Sequence, residues 1–425
     1  MSGSQPKPAI LQAVLDFNAG RKAKLVRLKL ERMSQDVFSF FRGADHLLAD
    51  DWAGLKPPDV GPAILQCGDL HLENFGAYQT DEGDFLYDIN DFDEALVAPC
   101  SLDLVRCTAS ILVAGESWGL SPVDALGMAL LFIDRYRAAV TSPPHLHAGA
   151  EAAPHTGRGP IWELLGEAAQ TTQVALLNHN TEMGKRGQRQ IKRSEAKHPP
   201  VSAKRVEALA AALKTYGESK PNPDAYRLLD ATARIAGTGS LGVRRYLVLI
   251  AGGGTAETSR LLDIKEEFPP SLLACTDAPQ PEAHGNDSLR AVEAQRVLQA
   301  KPAAGLDVLM VDGRAYRMRE MIPDDNRTSL GRFQKKPIKL RQAIDVAGQL
   351  TGWSHLRGVQ HRHATDRTGT LGEWAHSSSL DAVLVAAARY AARTLTDFHQ
   401  FCAALADPKA LPKELRFETA SKSAT

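Results

Sequence analysis

Asp69, Asn74 and Asp91 are the residues of this chain whose types and spacing best suit chemistry. They lie in one acidic stretch, "CGDLHLENFGAYQTDEGDFLYDINDFDEA", which runs from Cys67 to Ala95 and holds six Asp and three Glu. Within it, "FGAYQ" and "DFLYDI" read as two β-runs joined by the turn "TDEG", a hairpin pattern. A hairpin returns the chain to its starting end, so Asn74, just before the first run, and Asp91, just after the second, are expected side by side. Asp69 sits on the loop leading into that end. An Asp can accept a hydroxyl proton, and an Asn amide oxygen with a second Asp supplies hard oxygen ligands for Mg²⁺. That combination suits phosphoryl transfer. The plainer alternative is an Asp-rich turn whose carboxylates only cap neighbouring amides.

Phosphoryl transfer also needs a cover for the phosphates, a strand Lys to pair with them and a helix Glu to orient that Lys. None of these precedes Asp69; all appear downstream. "GTGSLG" supplies Gly237, Thr238, Gly239, Ser240 and Gly242 at G-x-G-x-x-G spacing. The β-run "VRRYLVLI" follows, whereas a dinucleotide-binding turn would be followed by a helix. "RLLDIK" places Lys265 at the end of the next strand, and "RAVEAQRVL" places Glu293 on the following helix. The expected roles are therefore Asp69 as base, Asn74 and Asp91 on Mg²⁺, the Gly237–Gly242 amides and Lys265 on ATP, and Glu293 paired with Lys265. Asp88 and Asp93 read as solvated or capping carboxylates ahead of the alternative, extra metal ligands.

"GDLHLEN", "DFDEA" and "SLDL" resemble the aminoglycoside-phosphotransferase branch of the kinase-like superfamily. Cys67 stands where that branch has His. Asp103, eight residues after Ala95, matches an Asp of that branch and reads as an anchor for the loop. A longer set of segments, including "FSFFRG", "GTGSLGVRRYLVL", "VEAQRVLQA" and "YRMREM", resembles a bacterial family, domain of unknown function 2252, over about residues 20–405. The resemblance implies a kinase-like fold and ATP binding and supplies no acceptor. With the catalytic loop first and the glycine turn second, the kinase order is circularly permuted. Permutation leaves a packed core intact where termini lie close in space.

These residues need a scaffold of 425 residues with 50 Lys+Arg against 50 Asp+Glu and 44% hydrophobic residues. The expected fold is α+β, two-lobed and kinase-like, with a small antiparallel nucleotide-binding sheet and a larger helical lobe. Its segments are a helical stretch 1–65, a catalytic-loop and helical lobe 66–230, a nucleotide-binding lobe 231–322 and helices over 323–425. Residues 161–235 read as interrupted helix. "SLDL" and "SPVDAL" read as helix starts capped by Ser101 and Ser121. Balanced charge gives no reason to expect a nucleic-acid partner. No apolar run reaches membrane-spanning length, and a cytoplasmic setting is the default expectation. The partners expected are a nucleotide and a small-molecule or protein acceptor; oligomeric state is open.

Other residues take plainer readings. Five scattered Cys support neither a zinc ribbon nor a disulfide framework. His71 reads as loop support. Arg42 reads as a phosphate contact, a partner for a loop acid, or a packing residue. His355, His361 and His363 have metal-like spacing without a fixed partner, and the basic run Lys185 to Arg205 reads as a solvated face or as a surface recruiting an acidic or phosphorylated substrate. Competing functions are AMP transfer, a non-catalytic nucleotide-binding pseudokinase and, less suited, a metallophosphoesterase. "GDLH" contains the D-x-H of that last class but lacks its later motifs.

Overall fold

The computed structural model describes residues 9–141, 159–170, 173–184, 187–281, 285–323, 330–362, 368–407 and 409–416. It is a mixed α+β structure. Four helices open it: α1 (Ile10–Phe17), α2 (Ala23–Met33), α3 (Val37–Gly43) and α4 (Leu47–Leu55). The Asp36 carboxylate caps α3 by accepting from the Ser39 amide at 2.9 Å. The acidic stretch follows as β1 (Ala63–Gln66), the antiparallel hairpin β2 (Phe75–Gln79) and β3 (Phe85–Ile89), and β4 (Leu96–Pro99), which pairs back onto β1. Helices α5 (Ser101–Ser117), α6 (Pro122–Thr141), α7 (Pro160–Gln170) and α8 (Gln173–Asn180) come next. Helix α5 is buried nearly all round, from Ser101 to Gly115, and forms the centre of the largest apolar cluster.

A short hairpin, β5 (Thr181–Met183) and β6 (Arg189–Ile191), and helix α9 (Ala203–Glu218) lead into the principal sheet. That sheet contains β7 (Leu228–Ala233), β8 (Arg245–Ile250), β9 (Arg260–Lys265), β10 (Asp307–Val311) and β11 (Arg314–Glu320). Helix α10 (Asp287–Leu298) connects β9 to β10. The strand order is β10-β11-β9-β8-β7, with every neighbouring pair antiparallel. A three-strand meander is thus joined through one helix to a two-strand hairpin on its far side. Helices α11 (Pro337–Arg362), α12 (Thr368–His376) and α13 (Ser379–Leu405) follow, with α11 against α6 and β1, and α13 against α5.

Side chains alternate across the principal sheet. On one face Tyr246, Val248, Ile264, Leu309 and Met318 pack with Leu209 and Leu213 of α9. On the other, Leu247, Leu249 and Leu261 pack with Leu177, Ile191 and Met321. That second face changes character toward the acidic loop, where Arg245, Asp263, Lys265, Arg317 and Arg319 are all buried. The register places Lys265 opposite both Arg245 and Arg317, and Asp263 opposite Leu247 and Arg319.

Three expectations need correction. Residues 161–235, read as interrupted helix, hold α7, α8 and α9 but also the strands β5 and β6 and the edge strand β7. The β7 sequence "LLDATA" has little β-branched character, and its strand state comes from pairing with β8. Because β7 begins at Leu228, the boundary expected between 230 and 231 falls inside a strand. Finally, α5 is preceded by Cys100, and Ser101 is already helical with its hydroxyl buried and unbonded. Ser121 does cap its helix, accepting from the Asp124 amide at 3.1 Å.

Candidate active site

The acidic loop is fixed from beneath. Asp103, one turn into α5, accepts the amide hydrogens of Cys67 at 2.9 Å and Gly68 at 2.8 Å. His355 of α11 stands 3.5 Å from the same carboxylate, and its Nδ1 lies 3.0 Å from the Tyr136 hydroxyl. His355 is therefore loop support; His361 is exposed on the surface, and His363 lies outside the described residues. Gly68 has φ +90°, and a Cβ there would run into the Glu94 carbonyl. Only glycine lets the loop lie this close to the segment after Asp91.

Asp69 is held by Arg106, a fully buried guanidinium on α5 that also donates to the Tyr390 hydroxyl at 2.6 Å and the Phe41 carbonyl at 3.1 Å. Its second oxygen lies 4.0 Å from His71 Nε2. Burial pushes the Asp69 carboxyl up to about 7, against the pull of Arg106. Asn74 donates its amide nitrogen to the Asp69 carbonyl at 2.5 Å, which leaves the amide oxygen as the atom suited to a hard cation. His71 accepts the Glu73 amide at 3.2 Å, and Glu73 is ion-paired with Arg42. Asp88 is buried, accepting from the Ile89 amide at 2.8 Å and the Ala300 amide at 3.1 Å beside Arg357, so it is structural and not solvated.

The glycine turn bridges β7 and β8 and is gripped by the N-terminal helices. Arg21 donates to the carbonyls of Gly239 at 3.0 Å and Leu241 at 3.1 Å, Lys29 to Gly239 at 3.2 Å, and Arg32 to Gly237 at 3.3 Å. A trans peptide sets its N–H opposite its C=O, so the amides of Thr238, Ser240 and Gly242 point away from these cations. Gly242 has φ +94°, and a Cβ there would lie 2.7 Å from Arg21 Cβ. Nothing in the sequence of the first 60 residues signalled this contact.

Lys265 lies at the end of β9 and is ion-paired with Asp93; Glu267 is 3.6 Å away. Arg317 donates to Glu267 at 2.7 Å and stands 3.3 Å from Asp93. Asp93, expected to be solvated or capping, is thus the link between sheet and acidic loop. Glu293 requires a correction. It projects from the exposed side of α10, whose buried side carries Ala291, Val292, Ala294, Gln295 and Leu298. The expected Lys265–Glu293 pair is not among the ion pairs of the described residues; Asp93 and Glu267 take that place. Helix α10 still reaches the acidic loop, through Arg290, which donates to the carbonyls of Asp93 at 2.7 Å and Ala95 at 2.5 Å. The acids "KEE" directly after the β9 strand carried the missed signal.

Asp69, Asn74, Asp91, Gly237, Thr238, Gly239, Ser240, Gly242 and Lys265 all line one cleft of about 660 Å³. Nine of the ten residues singled out from sequence meet there, and only Glu293 does not. The volume lies within the range of small-molecule sites. Further walls come from the N-terminal segment at Phe17 and Arg21, and from Phe268 and Pro269 after β9. Deeper in the cleft, Asp45 accepts from the Ser271 hydroxyl and Glu94 from the Ser271 amide, each at 2.5 Å. Burial and the neighbouring Asp45 push Glu94 up to about 8.

Among the described residues no group of three or more His, Cys, Asp or Glu side chains is arranged to hold a metal. The pair expected to do so, Asn74 and Asp91, is smaller and offers only oxygen, which suits a cation that keeps water and phosphate ligands. The basic run is mixed: Arg189 is buried against the Ala256 carbonyl at 3.0 Å, and Arg193 pairs with Asp230 at 2.7 Å. All five cysteines are free. No helix among the described residues is long and apolar enough to cross a membrane.

Neither the curated proteins nor the solved structures contain a match to this chain. One family model does match, over residues 21–404, that of the uncharacterised proteins conserved in bacteria, DUF2252. That span is most of the chain, and the chain belongs to this family.

Proposed function

We propose that the protein is an ATP- and Mg²⁺-dependent phosphotransferase of circularly permuted kinase-like architecture, acting on a hydroxyl of a small molecule or protein. The observation that carries this reading is the convergence of the acidic loop, the glycine turn and Lys265 on one cleft, from segments far apart in sequence. Supporting it, a meander, a helix and a hairpin in strand order β10-β11-β9-β8-β7 form the small sheet that such enzymes place over the phosphates. The segment that follows the hairpin meets this sheet through Lys265 with Asp93 and Arg319 with the Asn90 carbonyl.

In this reading Asp69 takes the proton of the acceptor hydroxyl. The acceptor oxygen forms its bond to the γ-phosphorus as the bond from that phosphorus to the β-bridging oxygen breaks, and ADP leaves. Mg²⁺, when bound at Asn74 and Asp91, would offset charge on the phosphates. Lys265 and the glycine-turn amides hold the phosphates in place.

A second reading, transfer of AMP, is favoured by one observation. The space under β8 and β9 toward Met321 is filled by Leu177, Ile191, Leu247, Leu249 and Leu261, which are all buried. A nucleotide bound in reverse, its base clear of that space, would bring its α-phosphorus nearest Asp69. The acceptor oxygen would then bond to the α-phosphorus, and pyrophosphate would leave.

The test is incubation with γ- or α-labelled ATP, Mg²⁺ and cell extract, for the wild type and for Asp69→Asn and Asp91→Asn. Label transferred from the γ position by the wild type alone is the expected result. Transfer from the α position selects AMP transfer, and transfer that survives both substitutions overturns the assignment of this cleft.

A further inference from the structure

The kinase-like reading leaves the nucleobase without a seat. Where such a fold would receive it, beneath the strands flanking the glycine turn, the sheet carries a closed ionic cluster. Asp263, two residues before Lys265 on the same face, accepts from Arg245 Nε at 2.7 Å and stands 3.4 Å from Arg234. These three side chains are each at most 6% exposed. Arg319 fills the adjoining position and donates to the Asn90 carbonyl at 3.1 Å. Beyond them Leu177 and Ile191, brought in by α8 and β6, close the remaining apolar face. None of these residues lines the cleft. Inserting a base there would require breaking a buried arginine–carboxylate cluster and leaving buried charge uncompensated.

Phe268 lines the cleft and is 48% exposed, and Pro269, Val243, Phe17, Ala19 and Arg21 line the same cleft. A half-exposed phenylalanine in a concave site offers a face for stacking, and a base is the apolar, planar part of a nucleotide. Arg21 lines the cleft while its guanidinium grips the glycine turn, so the cleft wall and the phosphate cover share a residue.

We infer that the nucleobase of the bound nucleotide stacks on Phe268, in a seat completed by the N-terminal segment around Phe17 and Arg21, and does not enter beneath β8 and β9. This rests on the nucleotide-transferase reading of the cleft and assigns the N-terminal segment a binding role.

The full-length protein with Mg²⁺ is irradiated with 8-azido-ATP and the modified peptides are mapped. In parallel, binding of ATP and of inorganic tripolyphosphate, which has phosphates but no base, is measured for the wild type and Phe268→Ala. The expected label falls on peptides containing Phe17 to Lys22 or Phe268. Phe268→Ala is expected to weaken ATP about tenfold and leave tripolyphosphate unchanged, since stacking contributes about 1–3 kcal/mol per base. Label on peptides containing Leu247, Leu261 or Met321 overturns the inference, as does an ATP affinity that Phe268→Ala does not alter. In both cases tripolyphosphate binding would survive, leaving the phosphate site standing. Loss of binding for ATP and tripolyphosphate alike in the wild type removes the transferase reading itself.

Discussion

Two carboxylates, the partly buried Asp69 and the buried Asp263, each lie against arginine, and they end in opposite states. Asp263 is 2% exposed, and although burial opposes ionisation, Arg245 and Arg234 hold it well below the usual carboxylate range. Asp69 has one arginine, Arg106, and nearby Asp45 and Asp91 that work against it; its carboxyl is pushed up to about 7. The difference is the number of opposing charges and what the second oxygen faces. At Asp263 both oxygens are taken by guanidinium groups, whereas at Asp69 one oxygen remains on the cleft side near His71. The first arrangement suits a fixed structural charge and the second a group that exchanges a proton near neutrality.

Substitutions at the two sites should separate these roles. The largest effect is expected for Asp69→Asn, which keeps an acceptor for buried Arg106. The turnover rate should fall by about 10²–10⁴, the usual contribution of a positioned general base, in a variant that still folds. In the wild type the rate should rise with pH through about 7 as Asp69 loses its proton, and fall about tenfold per unit below it. A pH–rate profile checks this, and the same limb should be missing from Asp69→Asn. Asp263→Ala should act in the other direction, on stability first. It leaves Arg245 and Arg234 buried without their carboxylate, and urea unfolding should show a loss of about 3–5 kcal/mol. A variant that melted normally yet lost activity would place Asp263 in the chemistry after all.

The smallest effect is expected at Glu293. Its side chain lies on the exposed side of α10, so Glu293→Gln should change stability by no more than about 0.5 kcal/mol and leave the rate unchanged. A loss of activity comparable to that of a Lys265 variant would restore the pairing that the sequence suggested.

These contrasts also show what could be read from sequence. Asp69, Asn74 and Asp91 were legible because a hairpin is a local structure, and its turn and β-runs announce where its ends meet. The glycine turn and Lys265 were legible for the same reason, as a β-turn-β unit. Glu293 was not, because an ion pair depends on the phase of a helix about its axis, which tertiary packing of Ala291, Gln295 and Leu298 decides. The Asp93–Lys265 link and the Arg234–Asp263–Arg245 cluster join residues from different segments, and no local pattern marks them. The edge strand β7 and the hairpin β5–β6 escaped for a related reason, since their strand state is imposed by pairing partners. The grip of Arg21, Lys29 and Arg32 on the glycine turn spans about half the chain and left no trace in spacing.

Calorimetric titration of the full-length protein with MgATP tests the joining of these two halves into one nucleotide site. Saturable one-to-one binding is expected, weakened at least tenfold by Asp91→Asn and by Lys265→Met, which change the acidic loop and the sheet separately. Absence of binding, or binding indifferent to both substitutions, would contradict a nucleotide site built from the acidic loop and the glycine-turn sheet.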